Sequence, residues 1–295
     1  MAPEIRKVGV LGCGLMGSGI AQAAATSGYT TIVREVDAAA LTKGRASIEK
    51  SSAKLVDKSK LTAAEREAAL ARLTFTTELA ALSDCDLVIE AVTEDLDLKN
   101  RLWRELDGKC PPHSIFASNT SSLTIGAMAA ATARADRFVG LHFFNPVPLM
   151  PLVEVVRALT TSRETLDRSL EFARSLGKQT VVAKDTPGFL VNLLLIPYLL
   201  DAARALERGV GTVADLDLAM RLGCGYPMGP FTLLDFVGID TTVRIAEIMF
   251  DEYRESRYAP PPLLRRMTLA GLHGRKSGKG FYDYSVDPPV PLELA

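Results

Sequence analysis

The first thirty-five residues constrain the fold more than any other stretch. A short apolar run, Val8-Gly9-Val10-Leu11, leads into Gly12-Cys13-Gly14-Leu15-Met16-Gly17, and a helical pattern continues to about Ser27. Gly28 and a β-rich run from Tyr29 to Val33 follow, and an acid, Glu35, closes the unit. Strand, glycine turn, helix, strand and acid in this order describe a βαβ unit of the dinucleotide-binding kind. Gly12 permits the tight turn out of the strand, Gly14 lets a pyrophosphate approach the backbone, and Gly17 lets the helix lie close on the sheet. The free N–H groups and partial positive charge at the helix N-terminus suit phosphates. Gly12, Gly14, Leu15, Met16 and Gly17 are therefore the candidate cofactor-binding residues of this turn.

Glu35 is placed to accept hydrogen bonds from ribose hydroxyls. A carboxylate there repels a 2′-phosphate, so NAD is favoured over NADP. Arg34 works against that preference, because a guanidinium beside the site suits the phosphate. Asp37 is the alternative ribose acid. Glu35 is preferred because it directly follows the apolar run.

At 295 residues the chain has room for two domains. Its 34 basic and 35 acidic residues give a net charge of −1 with no basic block, which argues against nucleic acid or a membrane surface as partner. Cys13, Cys85, Cys110 and Cys224 are scattered, with no CxxC pair. Neither a metal site nor a disulfide framework is expected, and reduced thiols point to the cytoplasm. Met1-Ala2-Pro3-Glu4 enters the first strand at once, so no targeting leader is expected. The most apolar window, Phe189 to Leu200, is interrupted by Asn192 and Pro197 and is too short to span a bilayer.

Along the chain, an amphipathic helix is predicted from Ala38 to Lys58. Thr62-Ala63-Ala64-Glu65 is a capping box that starts a second helix ending near Arg72. This hairpin is either a solvated charged face or a flap that carries cations to an anionic ligand. Strands are predicted at 86–92, 114–118, 137–144, 152–156 and 179–183, with helices at 98–106 and 165–175. After Lys184-Asp185-Thr186-Pro187-Gly188 the pattern is helical: 189–208, 213–222, 231–253 and 262–270, with Gly209, Gly223 and Gly225 as stops. The expected architecture is α/β: a Rossmann-type doubly wound sheet with a helical hairpin insertion over residues 1–184, then an all-α domain over 185–295. Several faces of the second domain carry few charges, so it is expected to bury part of itself in a homodimer.

Of three histidines, His113 and His273 lie in turns and are expected to be exposed. His142 ends a strand beside the cofactor crevice. Glu154 interrupts the apolar run Leu152 to Val156, where a charge needs a reason. The turn between the two strands can bring the side chains together. A carboxylate on one imidazole nitrogen fixes the tautomer and raises the basicity of the other, which suits proton removal from an alcohol as hydride leaves. Ser121, in Asn119-Thr120-Ser121-Ser122, and Asn192 are candidates to stabilise charge on the reacting oxygen. Because Asn192 comes from the second domain, an interdomain site is expected.

Several stretches together resemble the L-3-hydroxyacyl-CoA dehydrogenase family. They are Gly-Leu-Met-Gly-Ser-Gly-Ile-Ala-Gln (14–22), Ala-Ser-Asn-Thr-Ser-Ser (117–122), Leu-His-Phe-Phe-Asn-Pro-Val-Pro (141–148), Asp-Thr-Pro-Gly-Phe-Leu-Val-Asn (185–192), Tyr-Pro-Met-Gly-Pro-Phe (226–231) and Lys-Ser-Gly-Lys-Gly-Phe-Tyr (276–282). The resemblance is nearest to its short bacterial 3-hydroxybutyryl-CoA members. It implies reversible oxidation of an (S)-3-hydroxyacyl-CoA by NAD, with His142 as general base, Glu154 as its partner, and Ser121 and Asn192 on the substrate oxygen. It implies cofactor contacts at Glu94, Lys99, Asn119, Asn145 and Lys276. The hairpin matches the region that meets coenzyme A, with Ser51, Lys54 and Lys58 as candidates. Leu193 departs from the family's arginine after the asparagine, a change expected to alter interdomain packing rather than chemistry. The rival readings are a dehydrogenase of a free hydroxy acid or sugar acid on this fold, and a non-catalytic NAD(H)-binding protein.

Overall fold

The computed structural model describes residues 4–293, so the expectation for Met1 to Pro3 lies outside the described residues. The chain divides into two compact units, Met1–Thr186 and Pro187–Ala295.

The first unit runs β1 (Lys7–Leu11), α1 (Leu15–Thr26), β2 (Thr30–Arg34), α2 (Ala38–Asp57), α3 (Ala63–Ala71), β3 (Leu73–Thr76), β4 (Leu87–Glu90), α4 (Leu96–Asp107), β5 (Ile115–Ser118), α5 (Ile125–Ala129), β6 (Phe138–Phe143), β7 (Leu152–Arg157), α6 (Arg163–Ser175) and β8 (Gln179–Lys184). The sheet order is β3-β2-β1-β4-β5-β6-β7-β8, parallel throughout except between β6 and β7. The direction of strand growth reverses between β1 and β4, the point at which open α/β sheets bind their ligands. The strands β4, β5 and β6 are buried along their whole length and read as apolar runs with few polar residues, as strands covered on both faces do.

The helical hairpin forms as its caps direct. Asp37 accepts from the Ala40 N–H at the start of α2 (2.7 Å), which gives this acid a structural task. At α3 the Thr62 hydroxyl accepts from Glu65 N (3.2 Å) and the Glu65 carboxylate accepts from Thr62 N (2.8 Å). Arg66 then ties α3 to α2 through the Ser52 hydroxyl (3.2 Å). On the other face, Trp103 of α4 is fully buried, stacked on Phe116 and edge-on to Phe138, each at 4.9 Å between ring centroids.

The second unit holds α7 (Val191–Glu207), α8 (Val213–Gly223), α9 (Pro230–Val237), α10 (Ile239–Tyr253) and α11 (Pro262–Leu269), with a two-stranded ribbon of β9 (Tyr282–Asp283) and β10 (Val290–Pro291). Two buried carboxylates fasten it. Asp217 caps α9 at Phe231 N (2.7 Å) and accepts the Tyr282 hydroxyl (2.8 Å). Asp235 accepts from Phe281 N and Tyr282 N, both at 2.9 Å. No helix is long and apolar enough to cross a membrane among the described residues.

The structure departs from these expectations in several places. The strand β3 and the short helix α5 were not predicted: at four and five residues, neither carries enough periodicity. The single helix expected over 231–253 is two, because Gly238 takes φ +102° and breaks the ladder. His113 and His273 are half-buried rather than exposed. His113 bonds the Asp86 carboxylate (3.1 Å) and His273 the Thr268 carbonyl (3.1 Å). Each therefore satisfies a neighbouring acceptor, which a turn position alone does not reveal.

Candidate active site

The glycine turn shapes an anion cradle. Gly12 has φ +90°, and a Cβ on it would stand 2.7 Å from the Ala91 carbonyl. A Cβ on Gly17 would stand 1.9 Å from the Gly12 carbonyl, so it is the turn itself, more than the sheet, that excludes a side chain there. Gly14 is the N-cap of α1 without a side-chain cap, so the first N–H groups of this twelve-residue helix are offered to a ligand. Leu15 is 71 % exposed beside them. These features fit a dinucleotide pyrophosphate.

Glu35 follows β2 and accepts from Cys13 N (2.6 Å) and Val36 N (2.7 Å), which fixes its carboxylate at the rim of the turn. The Arg34 side chain instead donates Nε to the Thr77 carbonyl (3.1 Å). Alternation along the strand separates the two side chains.

At the far end of the sheet His142 and Glu154 are directly opposed in the antiparallel register of β6 and β7. The Nδ1–H of His142 donates to Oε2 of Glu154 at 2.5 Å, with Glu154 fully buried and the histidine 6 % exposed. An imidazole so held carries its proton on Nδ1 and presents Nε2 as the basic nitrogen. The reversal that follows, containing a cis Asn145–Pro146 bond, is bolted by Lys178, whose Nζ donates to the carbonyls of Val147 (2.6 Å) and Met150 (2.9 Å). Asn145 is exposed on this reversal.

Between the turn and the histidine lies a buried polar network. Asn119 accepts from Phe143 N through Oδ1 (2.9 Å), joining the end of β5 to the end of β6. Glu94 accepts from the Thr120 hydroxyl, from Ser121 N (3.3 Å) and from the Ser122 hydroxyl (3.2 Å). Lys99 is 1 % exposed, its ammonium 2.5 Å from Glu90 and 3.1 Å from Glu94. Burial by itself would raise the Glu94 pKa, but the Lys99 charge and the hydrogen bonds from Thr120, Lys99 and Ser122 outweigh it and hold this carboxyl low. Glu90 was not singled out in the sequence. Its signal was the one that marked Glu154, an acid inside an apolar run, Leu87-Val88-Ile89-Glu90-Ala91-Val92.

Ser51 is half-buried on α2, while Lys54 and Lys58 project into solvent one turn apart. Asn192 and Lys276 belong to the second unit. Asn192 lies in the first turn of α7 and is 9 % exposed. Lys276 is exposed and pairs with Asp240 at 2.6 Å.

A model of the NAD-binding domain of 3-hydroxyacyl-CoA dehydrogenase matches residues 7–186, and one of the C-terminal domain of the same enzymes matches residues 188–284. The chain belongs to the 3-hydroxyacyl-CoA dehydrogenase family. It is 51 % identical to a 3-hydroxybutyryl-CoA dehydrogenase of Mycobacterium tuberculosis, over 96 % of this chain and all of the relative. It is 46 % identical to the human mitochondrial hydroxyacyl-coenzyme A dehydrogenase, over 95 % of this chain and 91 % of that one. The crystal structure of an (S)-3-hydroxybutyryl-CoA dehydrogenase from Ralstonia eutropha superposes with a TM-score of 0.91 at 43 % identity, covering 96 % of this chain and all of the other. As a 3-hydroxyacyl-CoA dehydrogenase the chain is an oxidoreductase, and NAD(H) use is a property of its family.

Proposed function

We propose that the chain interconverts (S)-3-hydroxyacyl-CoA and 3-oxoacyl-CoA with NAD(H), short acyl chains such as 3-hydroxybutyryl being preferred. The observation that carries the chemistry is the buried His142–Glu154 pair at the strand ends, a base with its tautomer fixed. NAD, held by the glycine turn and Glu35, would supply the acceptor for the hydride of the substrate C3. Nε2 of His142 takes the hydroxyl proton in that step and returns it in reverse, while Glu154 stabilises the imidazolium. The Ser121 hydroxyl and the Asn192 amide donate hydrogen bonds to the reacting oxygen.

On the same reading Glu35 selects NAD over NADP. Engagement of Arg34 with Thr77 supports this, because it occupies the guanidinium elsewhere. Asn119, Asn145, Glu94 and Lys276 serve the cofactor, Lys99 acting through Glu94. Ser51, Lys54 and Lys58 serve the nucleotide end of coenzyme A, whose phosphates want cations. The second unit supplies a homodimer contact, favoured by the exposed Leu194, Leu218, Leu222 and Tyr226. Sedimentation as a monomer at micromolar concentration would reject that contact. The cytoplasm is the expected compartment.

The deciding experiment is a turnover screen of C4 to C16 3-oxoacyl-CoA substrates with NADH and NADPH, run beside the free 3-oxo acids. The expected result is highest kcat/KM for a short acyl-CoA with NADH. Equal or better turnover of the free acid would overturn the substrate, and a preference for NADPH would overturn the cofactor.

A further inference from the structure

The carboxyl ends of β4 and β5 enclose two carboxylates and one ammonium. Glu90 is fully buried, Lys99 nearly so, and the Glu94 side chain is 22 % exposed. Oε1 of Glu90 accepts the Lys99 ammonium (2.5 Å) and the Val92 N–H (2.7 Å). Oε2 accepts the Ser118 hydroxyl (2.6 Å), which in turn accepts Thr120 N. Burial pushes the Glu90 pKa up, against the Lys99 charge and these hydrogen bonds. Donors on both oxygens are the surroundings of a carboxylate rather than a carboxylic acid. Two carboxylates and one ammonium leave the cluster with a net charge of −1.

Its place in the sheet gives that charge a consequence. Glu90 is in register with Leu11 at the end of β1 and with Ser118 at the end of β5, so it borders the crevice where the strand order reverses. Glu35 takes the adenosine half toward β2, which leaves the nicotinamide half to the β4 and β5 side. The two redox forms differ there by one unit, since the oxidised ring is cationic and the reduced ring neutral. A fixed charge that favours one form over the other shifts the equilibrium on the enzyme by that difference in affinity.

Resting on the NAD-dependent reading above, we infer that the Glu90–Lys99–Glu94 cluster tunes the cofactor's redox poise: its net negative charge makes the site hold NAD+ more tightly, relative to NADH, than a neutral site would. Glu90 is then a residue that acts electrostatically and by positioning, without touching the substrate.

The test is direct binding without substrate, measuring Kd for NAD+ and for NADH by calorimetry on the full chain. Glu90→Gln keeps the shape and removes one negative charge. Its Kd for NAD+ should rise about tenfold more than its Kd for NADH, the scale of one unit charge in a partly shielded site. Glu94→Gln, at a less buried position, should move the ratio the same way and carries the test if Glu90→Gln does not fold. Ser118→Ala removes a hydrogen bond but no charge, and should leave the ratio unchanged. Equal weakening of both forms by the charge variants, or a ratio shifted as much by Ser118→Ala, would overturn the inference. Failure of the unaltered chain to bind either form would instead overturn the NAD reading itself.

Discussion

His142 and Glu154 are cross-strand neighbours in β6 and β7, their side chains joined at 2.5 Å in a position from which water is almost excluded. Register, not chance approach of loops, sets the distance between base and carboxylate. Glu154→Gln should therefore lower kcat by roughly ten- to a hundredfold with little change in KM, and His142→Gln by at least ~10²-fold. Steady-state kinetics with acetoacetyl-CoA and NADH check both. Turnover near that of the unaltered enzyme in the His142 variant would remove this residue from the mechanism.

Lys54 and Lys58 lie one turn apart on the hairpin. If they meet the phosphates of coenzyme A, Lys54→Ala and Lys58→Ala should each raise KM for the acyl-CoA several-fold at unchanged kcat, because binding common to ground and transition states is lost. Higher salt should mimic the effect. A fall in kcat alone would place these lysines elsewhere in the cycle.

Three of the four thiols are shielded. Burial pushes Cys13 to about 11, Cys85 to about 12 and Cys110 to about 11, the Glu35 charge adding to the effect on Cys13. Almost no thiolate exists on them near neutrality, whereas Cys224 is exposed. Ellman's reagent should titrate one thiol quickly in the native protein and four in denaturant. Two or more fast thiols would show that the glycine turn or the α4 layer opens readily.

Asp86 anchors the start of β1 by accepting from Arg6 N and Lys7 N, both at 2.9 Å, and from His113. Burial alone would raise its pKa, yet these hydrogen bonds and the neighbouring histidine bring it below the ordinary 3.8. With the folded value depressed, the unfolded chain takes up the proton first as pH drops. The stability from Asp86 is complete above about 3.8 and is lost as pH falls through the folded pKa. Asp86→Asn should cost about 1–2 kcal/mol at neutral pH, and its deficit should shrink toward zero in acid. A deficit constant down to pH ~2.5 would refute the linkage.

Trp103 fills the layer between α4 and the sheet, against Phe116 and Phe138. Trp103→Ala should destabilise the first unit by about 3–5 kcal/mol. Urea unfolding followed by far-ultraviolet circular dichroism measures it. A loss below ~1 kcal/mol would mean that the cavity collapses at almost no cost.

Much of the molecule was legible before any coordinate. The glycine turn announces its strand and helix because the local chain geometry admits few alternatives. Thr62 and Glu65 form their capping box because a cap is satisfied within four residues. Glu154 was legible by contradiction, a charge in an apolar run. Glu90 carried the same contradiction and was passed over, because its partner Lys99 stands on a helix whose buried face the sequence leaves ambiguous.

By itself, the sequence determined what local forces can settle: where the helices with local caps start, which strands are buried, and which residue types are available for chemistry. The tertiary structure decided the pairings. Only the antiparallel register sets His142 opposite Glu154, only the parallel order of β1, β4 and β5 gathers Glu90, Ser118 and the Asn119–Ser122 turn around Lys99, and only the positive φ of Gly238 divides one apolar helix into two. The reason is physical. Caps and periodicity act over a few residues, whereas the energy of a buried charge depends on neighbours that the chain brings in from far along its length.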